Sequence, residues 1–390
     1  MLNLTRLYGG VSQPADALRY GHGPGATKTA AERRPIVVWN ITRRCNLKCV
    51  HCYSNSEARF YPGELDWEQM NRVVDDLARF QVPAVLLSGG EPMIHPKFFD
   101  LARLIRSKGL RVTVSTNGTL IDQTAADLLK DIGVTYVGIS LDGIGETHDK
   151  FRGRAGTFDK VVDAFSHCVA AGQKVGLRLT LTKHNIQDLD RILDFIEDQG
   201  INRVCFYHLV PSGRGKDVVD VSHLDSRLAL DKIMDRTNQW IAQGQPREVL
   251  TVDQPVDGAY MLMRLKDEEP DRFAEVKELL EWNGGGANSS GVGIGNIDTQ
   301  GDVHPDQFWQ SLTIGNVKEK PFSEIWTTKD NPILNGLRNR LPLLNGRCSE
   351  CAFKKVCGGG FRVRALHAHG DPWADDPGCY LTDEEIAVGV

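Results

Sequence analysis

Three cysteines, Cys45, Cys49 and Cys52, fall within eight residues, directly after an apolar run over residues 36–41. A loop this short, leaving a strand, can bring all three sulfurs onto one metal centre. Three thiolates with one position left open suit a 4Fe-4S cluster whose fourth iron takes an exchangeable ligand. A zinc knuckle or three unrelated buried thiols are the competing readings. Structural zinc takes four closed ligands, and the nearest fourth donor, His51, adjoins Cys52, which makes chelation of one ion by both awkward.

Cys348, Cys351, Cys357 and Cys379 form a second group near the end of the chain. Four thiolates close a tetrahedral or cubane site completely, so this set fits zinc or a cluster without an exchangeable iron. Cys168, on a helical pattern, and Cys205, on an apolar strand, read as small core residues. Nine cysteines in a reducing compartment are not a disulfide framework.

The elements that must position these thiols alternate. Strand patterns cover residues 36–41, 84–88, 110–115, 134–141, 175–182 and 201–207, with helical patterns between them. In the first helix Asp66 offers an N-cap with Gln69 three residues on, and Trp67, Met70, Val73, Val74, Leu77 and Phe80 make one apolar stripe. Six strands alternating with helices imply an α/β fold with right-handed crossovers, a partial (β/α)6 TIM-like barrel. Ligands in such barrels bind at the C-terminal strand ends. Cys45 to Cys52 follow the first strand, Gly89, Gly90, Glu91 and Pro92 the second, Thr116, Asn117 and Gly118 the third, and Asp142 and Gly143 the fourth.

Four segments follow: an N-terminal arm over 1–34 with Gly21, Gly23, Pro24 and Gly25, the barrel over 35–222, a helical connecting region over 223–285, and a small cysteine-rich domain over 286–390. In the last, Asp298, Thr299, Gln300 and Gly301 read as a hairpin turn. The 390 residues are 41% hydrophobic and 25% charged, with a net charge of −5. That charge argues against a nucleic-acid partner bound by phosphate neutralisation. With neither a span-length apolar run nor a signal-peptide pattern, no membrane partner is expected, and the location expected is cytoplasmic.

Cysteine, three residues, cysteine, two residues, cysteine resembles the signature of the radical S-adenosylmethionine (SAM) superfamily. The resemblance implies that Cys45, Cys49 and Cys52 hold the catalytic 4Fe-4S cluster. Gly89, Gly90, Glu91 and Pro92 are similar to the motif that meets the methionine amino group. Ser115, Thr116, Asn117, Ser140 and Arg178 occupy positions that look like those contacting the ribose or carboxylate of SAM. His51 takes the adenine-facing position, with Tyr53 beside it.

Ser140, Asp142, Gly143, His148, Asp149, Arg152 and Gly153, with the second cysteine group, resemble the subgroup carrying a C-terminal SPASM or twitch extension. This implies an auxiliary 4Fe-4S cluster on Cys348, Cys351, Cys357 and Cys379. Full SPASM domains hold a further cluster, but here Asp306, Phe361 and the stretch Asn288, Ser289, Ser290 stand where its cysteines are expected, which implies two clusters in all.

Residues 2–8, residues 38–44, and Pro62, Gly63, Glu64 and Leu65 resemble the branch that serves haem d1 biosynthesis and the sirohaem-dependent haem pathway. The branch implies an iron tetrapyrrole substrate of didecarboxysirohaem type, whose propionate side chains are removed by way of a 5′-deoxyadenosyl radical, and an electron donor such as a flavodoxin or ferredoxin. A carboxylate-rich iron substrate would want arginines, among them Arg152, Arg154, Arg178, Arg203 and Arg214, and an axial ligand from His304, His367 or His369. The alternatives are removal of acetate side chains, maturation of a peptide, or a cluster carrier without catalysis. Residues 1–34 look too short for the added domain that peptide maturases generally carry.

Overall fold

The computed structural model describes residues 1–20 and 34–388. Gly21, Gly23, Pro24 and Gly25 of the expected arm lie outside the described residues.

The strands are β1 (Leu2–Asn3), β2 (Ile36–Thr42), β3 (Val85–Gly89), β4 (Val112–Thr116), β5 (Tyr136–Ser140), β6 (Val175–Leu181), β7 (Arg203–His208), β8 (Glu248–Val252), β9 (Ile294–Ile297), β10 (Asp302–His304) and β11 (Gly315–Asn316). They form one sheet in the order β1-β8-β7-β6-β5-β4-β3-β2-β9-β10-β11. From β2 to β8 every neighbour is parallel. Parallel strands covered by crossover helices are apolar on both faces, and Val37, Val85, Leu87, Val112, Val114, Val137, Ile139, Leu177, Val204 and Phe206 are accordingly buried.

The six expected strands are β2 to β7. β8 and β1 extend the sheet on one side, and β9, β10 and β11 on the other. β8 lies inside the stretch expected to be helical, and all five of its residues are buried beside β7. Its Glu248 and Thr251 interrupt the apolar run that would mark a strand; Glu248 instead receives Arg19 at 2.8 Å. On the other side, β9 pairs in parallel with β2, Ile36 opposite Ile294 and Trp39 opposite Ile297. The expected hairpin, β9 with β10, therefore continues the barrel sheet. Gly295 allows this: a Cβ there would lie 2.6 Å from the Trp326 ring.

The helix Trp67–Phe80 starts at the expected capping box of Asp66 and Gln69 and buries Met70, Val73, Val74 and Leu77 of the expected stripe, while Phe80 is half-buried and Trp67, in the first turn, is exposed. The helical connecting region expected over 223–285 holds the helices His223–Ala242, Val256–Glu268 and Pro270–Asn283, the last two broken where Pro270 cannot continue the ladder. The start of the arm is structured. β1 pairs antiparallel with β8, and Thr5 Oγ1 donates to the Arg247 carbonyl at 2.5 Å while accepting from Val249 N at 3.0 Å. Among the described residues no helix is long and apolar enough to cross a membrane.

Candidate functional site

Cys45, Cys49 and Cys52 gather with Leu47 in a small cluster of their own at the end of β2. The loop is threaded through β3. Gly90 N donates to Thr42 O at 2.7 Å and Glu91 N to Arg44 O at 2.9 Å. Gly89 sits at φ 142°, and a Cβ on Gly89 or Gly90 would lie 2.2 Å from the carbonyl oxygen of Thr42 or Arg44. The two glycines are what lets the loop cross so closely.

Glu91 is fully buried beneath this crossing. Its carboxylate accepts from Asn117 N and Thr116 Oγ1, each at 2.8 Å, and from Met93 N at 3.1 Å. Burial pushes its pKa up to about 7, against the pull of those hydrogen bonds. Asn117 in turn donates to Asn46 Oδ1 at 2.9 Å and to Cys45 Sγ at 3.8 Å. Gly89, Gly90, Glu91 and Asn117 thus pack behind the cysteine loop.

Burial pushes the Cys45 thiol up to about 12 and raises Cys49 as well, with the neighbouring thiols adding to both. Cys45 and Cys49, which resist ionisation, would be stabilised as thiolates by a cationic centre beside them. The donor set fits an iron-sulfur cluster.

Five of the expected residues, His51, Tyr53, Ser115, Ser140 and Arg178, line one pocket of about 730 Å³ next to the loop. His51 packs on Phe151 with ring centroids 4.6 Å apart. Its Nδ1 has no hydrogen-bond partner, and burial lowers its pKa to about 4. Tyr53 donates to Asn40 Oδ1 at 3.0 Å. Arg178 donates to the Tyr207 hydroxyl and lies over that ring at 4.8 Å. Among the described residues it has no acidic side chain within ion-pair distance.

The other expected arginines separate. Arg152 reaches the pocket, but Asp142 and Cys49 occupy its guanidinium. Arg214 clamps the cysteine loop, donating to Cys49 O at 2.8 Å and Ser56 O at 3.0 Å. Arg154 stands exposed near Asn46 O. Arg203 begins β7, at the end away from the site, where it stacks on Tyr136 and faces Glu248. None of the expected axial histidines lines the pocket. His304 is held within the hairpin by Leu312 O at 2.6 Å and Asp298, while His367 and His369 are exposed. The pocket's own additions, which carry no spacing motif, are Tyr207 and His208 at the end of β7, Asp253 just past β8, and Gln307 and Phe308 from beyond the hairpin. Asp253 has one signal of function, a φ of 64°.

Cys348, Cys351, Cys357 and Cys379 line a second pocket of about 440 Å³ with Val256, Phe353 and Leu381. Burial and the other three thiols raise Cys357 strongly, so this donor set fits a cluster by the same reasoning. Two glycines pack against it: Cβ atoms at Gly285 and Gly286 would meet Val356 O at 2.0 Å and Cys357 O at 2.1 Å. At the positions without cysteine, Asp306 accepts from Ser290 Oγ and from Phe308 N at 2.7 Å. Phe361 joins Val210, Trp309, Leu337 and Val363 in an apolar cluster.

Residues 39–196 match the family described as the radical SAM superfamily, and residues 293–352 match the iron-sulfur cluster-binding domain SPASM. The chain is 49% identical to Fe-coproporphyrin III synthase of Methanosarcina barkeri over 99% of both sequences. It is 45% identical to pre-heme d1 synthase of Dinoroseobacter shibae over 92% of this chain and 89% of that one. In fold it resembles Streptococcus suis SuiB bound to S-adenosylmethionine, with a TM-score of 0.68 at 19% identity, covering 90% of this chain and 78% of that one.

Proposed function

The chain belongs to the radical SAM superfamily and carries a SPASM iron-sulfur domain, and from that premise we propose that it removes carboxylate-bearing side chains from an iron tetrapyrrole of didecarboxysirohaem type. It is a radical SAM enzyme with 4Fe-4S clusters and SAM as cofactors. When bound, SAM and the first cluster supply the hydrogen-abstracting radical. Cys45, Cys49 and Cys52 hold that cluster, and Cys348, Cys351, Cys357 and Cys379 the auxiliary one. Gly89, Gly90, Glu91 and Asn117 hold the loop in shape, while His51, Tyr53, Ser115 and Ser140 line the cofactor end of the pocket.

One observation carries the substrate class: Arg178 is a guanidinium in the pocket wall whose recorded partner is the neutral Tyr207. A half-buried cation without a counter-charge is free to take a ligand carboxylate in a charge-assisted hydrogen bond. Tyr53, Tyr207 and Phe308 give the same pocket aromatic walls for a flat macrocycle. The two haem-pathway relatives support the same class. A flavodoxin or ferredoxin would serve as electron donor.

Two products are in play. Loss of propionate groups leads toward haem d1, the outcome implied by the resemblance of the chain's opening and loop motifs. Loss of acetate groups is favoured by the 49% identity to a protein named Fe-coproporphyrin III synthase. Anaerobic incubation of the reconstituted protein with didecarboxysirohaem, SAM and reductant, followed by mass analysis, separates them by the fragment lost. An unchanged tetrapyrrole mass beside 5′-deoxyadenosine formation would reject the substrate class.

A further inference from the structure

The sulfurs of the cysteine loop are hydrogen-bonded unequally. Cys45 accepts from Leu47 N at 3.4 Å and Asn117 Nδ2 at 3.8 Å, and Cys52 from Ser56 N at 3.5 Å with Ser54 Oγ at 3.4 Å. All of these donors are neutral. Cys49 alone among the three receives a charged donor, Arg152 Nη1 at 3.6 Å.

The local structure delivers this guanidinium to the sulfur. Arg152 ends the helix Glu146–Arg152 and is 6% exposed. Its other terminal nitrogen is ion-paired with Asp142, which is 1% exposed and itself fixed by Thr180 N donating to Oδ1 at 2.9 Å. The helix end and the cysteine loop are joined through their backbones. Val50 N donates to Phe151 O at 3.0 Å, and Gly153, at φ 71°, lies so near that a Cβ would meet Lys48 O at 2.7 Å. With both ends of the guanidinium held, the side chain has little freedom to leave the sulfur.

A cluster gains one negative charge on reduction. A cation close to a ligating sulfur, away from water, favours the reduced state, and hydrogen bonds to the sulfurs raise the reduction potential. Asp142 offsets the charge at longer range, but the positive end of the pair faces Cys49. We propose that Arg152 is a positioning residue that raises the reduction potential of the cluster held by Cys45, Cys49 and Cys52, acting through the Cys49 sulfur. The inference rests on the family membership and not on the identity of the tetrapyrrole.

The test is a redox titration of the reconstituted full-length protein, monitored by electron paramagnetic resonance of the signal that changes on adding SAM. Arg152→Met should lower the midpoint so that, at a fixed poise, the ratio of reduced to oxidised cluster falls about tenfold, or about 59 mV for one electron. Arg152→Lys, which keeps the charge, should recover at least half of that. The double variant Arg152→Met/Asp142→Asn leaves the site as neutral as the ion pair did, and should still titrate below the wild type because the donors to Cys49 are gone. Wild-type potentials in both methionine-containing proteins, with unchanged iron content, would overturn the proposal. If the methionine proteins fail to hold iron, Arg152→Gln decides: a lowered potential supports the proposal and a wild-type potential overturns it.

Discussion

His208 Nε2 lies 3.3 Å from Asp257 Oδ2, and the Tyr380 hydroxyl donates to the other oxygen of the same carboxylate at 2.8 Å. His208 lines the ligand pocket, and Tyr380 directly follows Cys379 of the auxiliary set. One fully buried carboxylate therefore ties the wall of one pocket to the cysteine lining of the other. Asp257→Ala strands both partners and should cost about 3 kcal/mol, whereas Asp257→Asn should cost about half as much. Urea unfolding under anaerobic conditions reads the difference, and a loss below about 0.5 kcal/mol in the alanine variant would show that the carboxylate is not structurally engaged.

Asp306 makes the fold pH-sensitive. Burial pushes its carboxyl from an ordinary 3.8 up to about 7. Between those values the unfolded chain has released the proton and the folded chain retains it, so stability falls as pH rises through the window. The penalty is absent below about pH 4 and complete above about pH 7, reaching about 4 kcal/mol at 1.36 kcal/mol per pKa unit. Asp306→Asn keeps an acceptor for Phe308 N and removes the titration. The stability of wild type relative to this variant should decline steadily from pH 4 to 7; parallel curves would exclude the effect.

Gly90→Ala places a methyl group against the Arg44 carbonyl oxygen at 2.2 Å. Because the obstacle is backbone, relief requires the cysteine loop to move. The variant should lose several kcal/mol of stability and the first cluster with it, halving the iron content. Gly109→Ala, where a Cβ meets nothing within 4 Å, is the control: its φ of 80° strains an alanine, yet iron should stay at the wild-type level.

Iron content also measures the auxiliary site. Two cubanes give about eight iron atoms per chain, and replacing Cys348 and Cys357 together with serine should leave about four. A value near twelve in the wild type would require a third cluster, for which Asp306 and Phe361 offer no thiol.

Arg178→Met should weaken binding of didecarboxysirohaem by ten- to a hundredfold, the worth of one charge-assisted hydrogen bond, with iron content unchanged. A Soret-band titration supplies the affinity. Equal affinities would move the substrate carboxylates elsewhere in the pocket.

Much of the barrel was legible because its signals are local. Strands β2 to β7 are apolar runs between helices of 3.6-residue period, and Asp66 with Gln69 announces a helix start in four residues. β8 was not, since Glu248 and Thr251 break its run and only the pairing with β7 makes it a strand. The turn at Asp298 to Gly301 identified the hairpin, but nothing near it states that Ile294 lies opposite Ile36. The site divides in the same way. Cysteine spacing is a local code, and the family resemblance that it opens implied His51, Ser115, Ser140 and Arg178, which line the pocket. Tyr207, His208, Asp253 and Phe308 converge only through the tertiary fold. Arg203 and Arg152 show the converse, since position near a strand end does not reveal which end, or which partner already holds the side chain.

The pairing of β9 with β2 reaches beyond the finished molecule. Asn296 Nδ2 bonds the Val38 carbonyl at 2.8 Å across 258 residues of chain. The strand that leads into the three clustered thiols therefore keeps one edge open until Ile294–Ile297 has been synthesised. Such long-range closure slows folding, and an unpaired edge invites association with other chains. A fragment ending near residue 285 would carry the complete cysteine loop and pocket-facing strands β2 to β8 but remain prone to aggregation. The segment that follows residue 285 thus supplies the partner that closes the open edge of the strand leading into the cysteine loop.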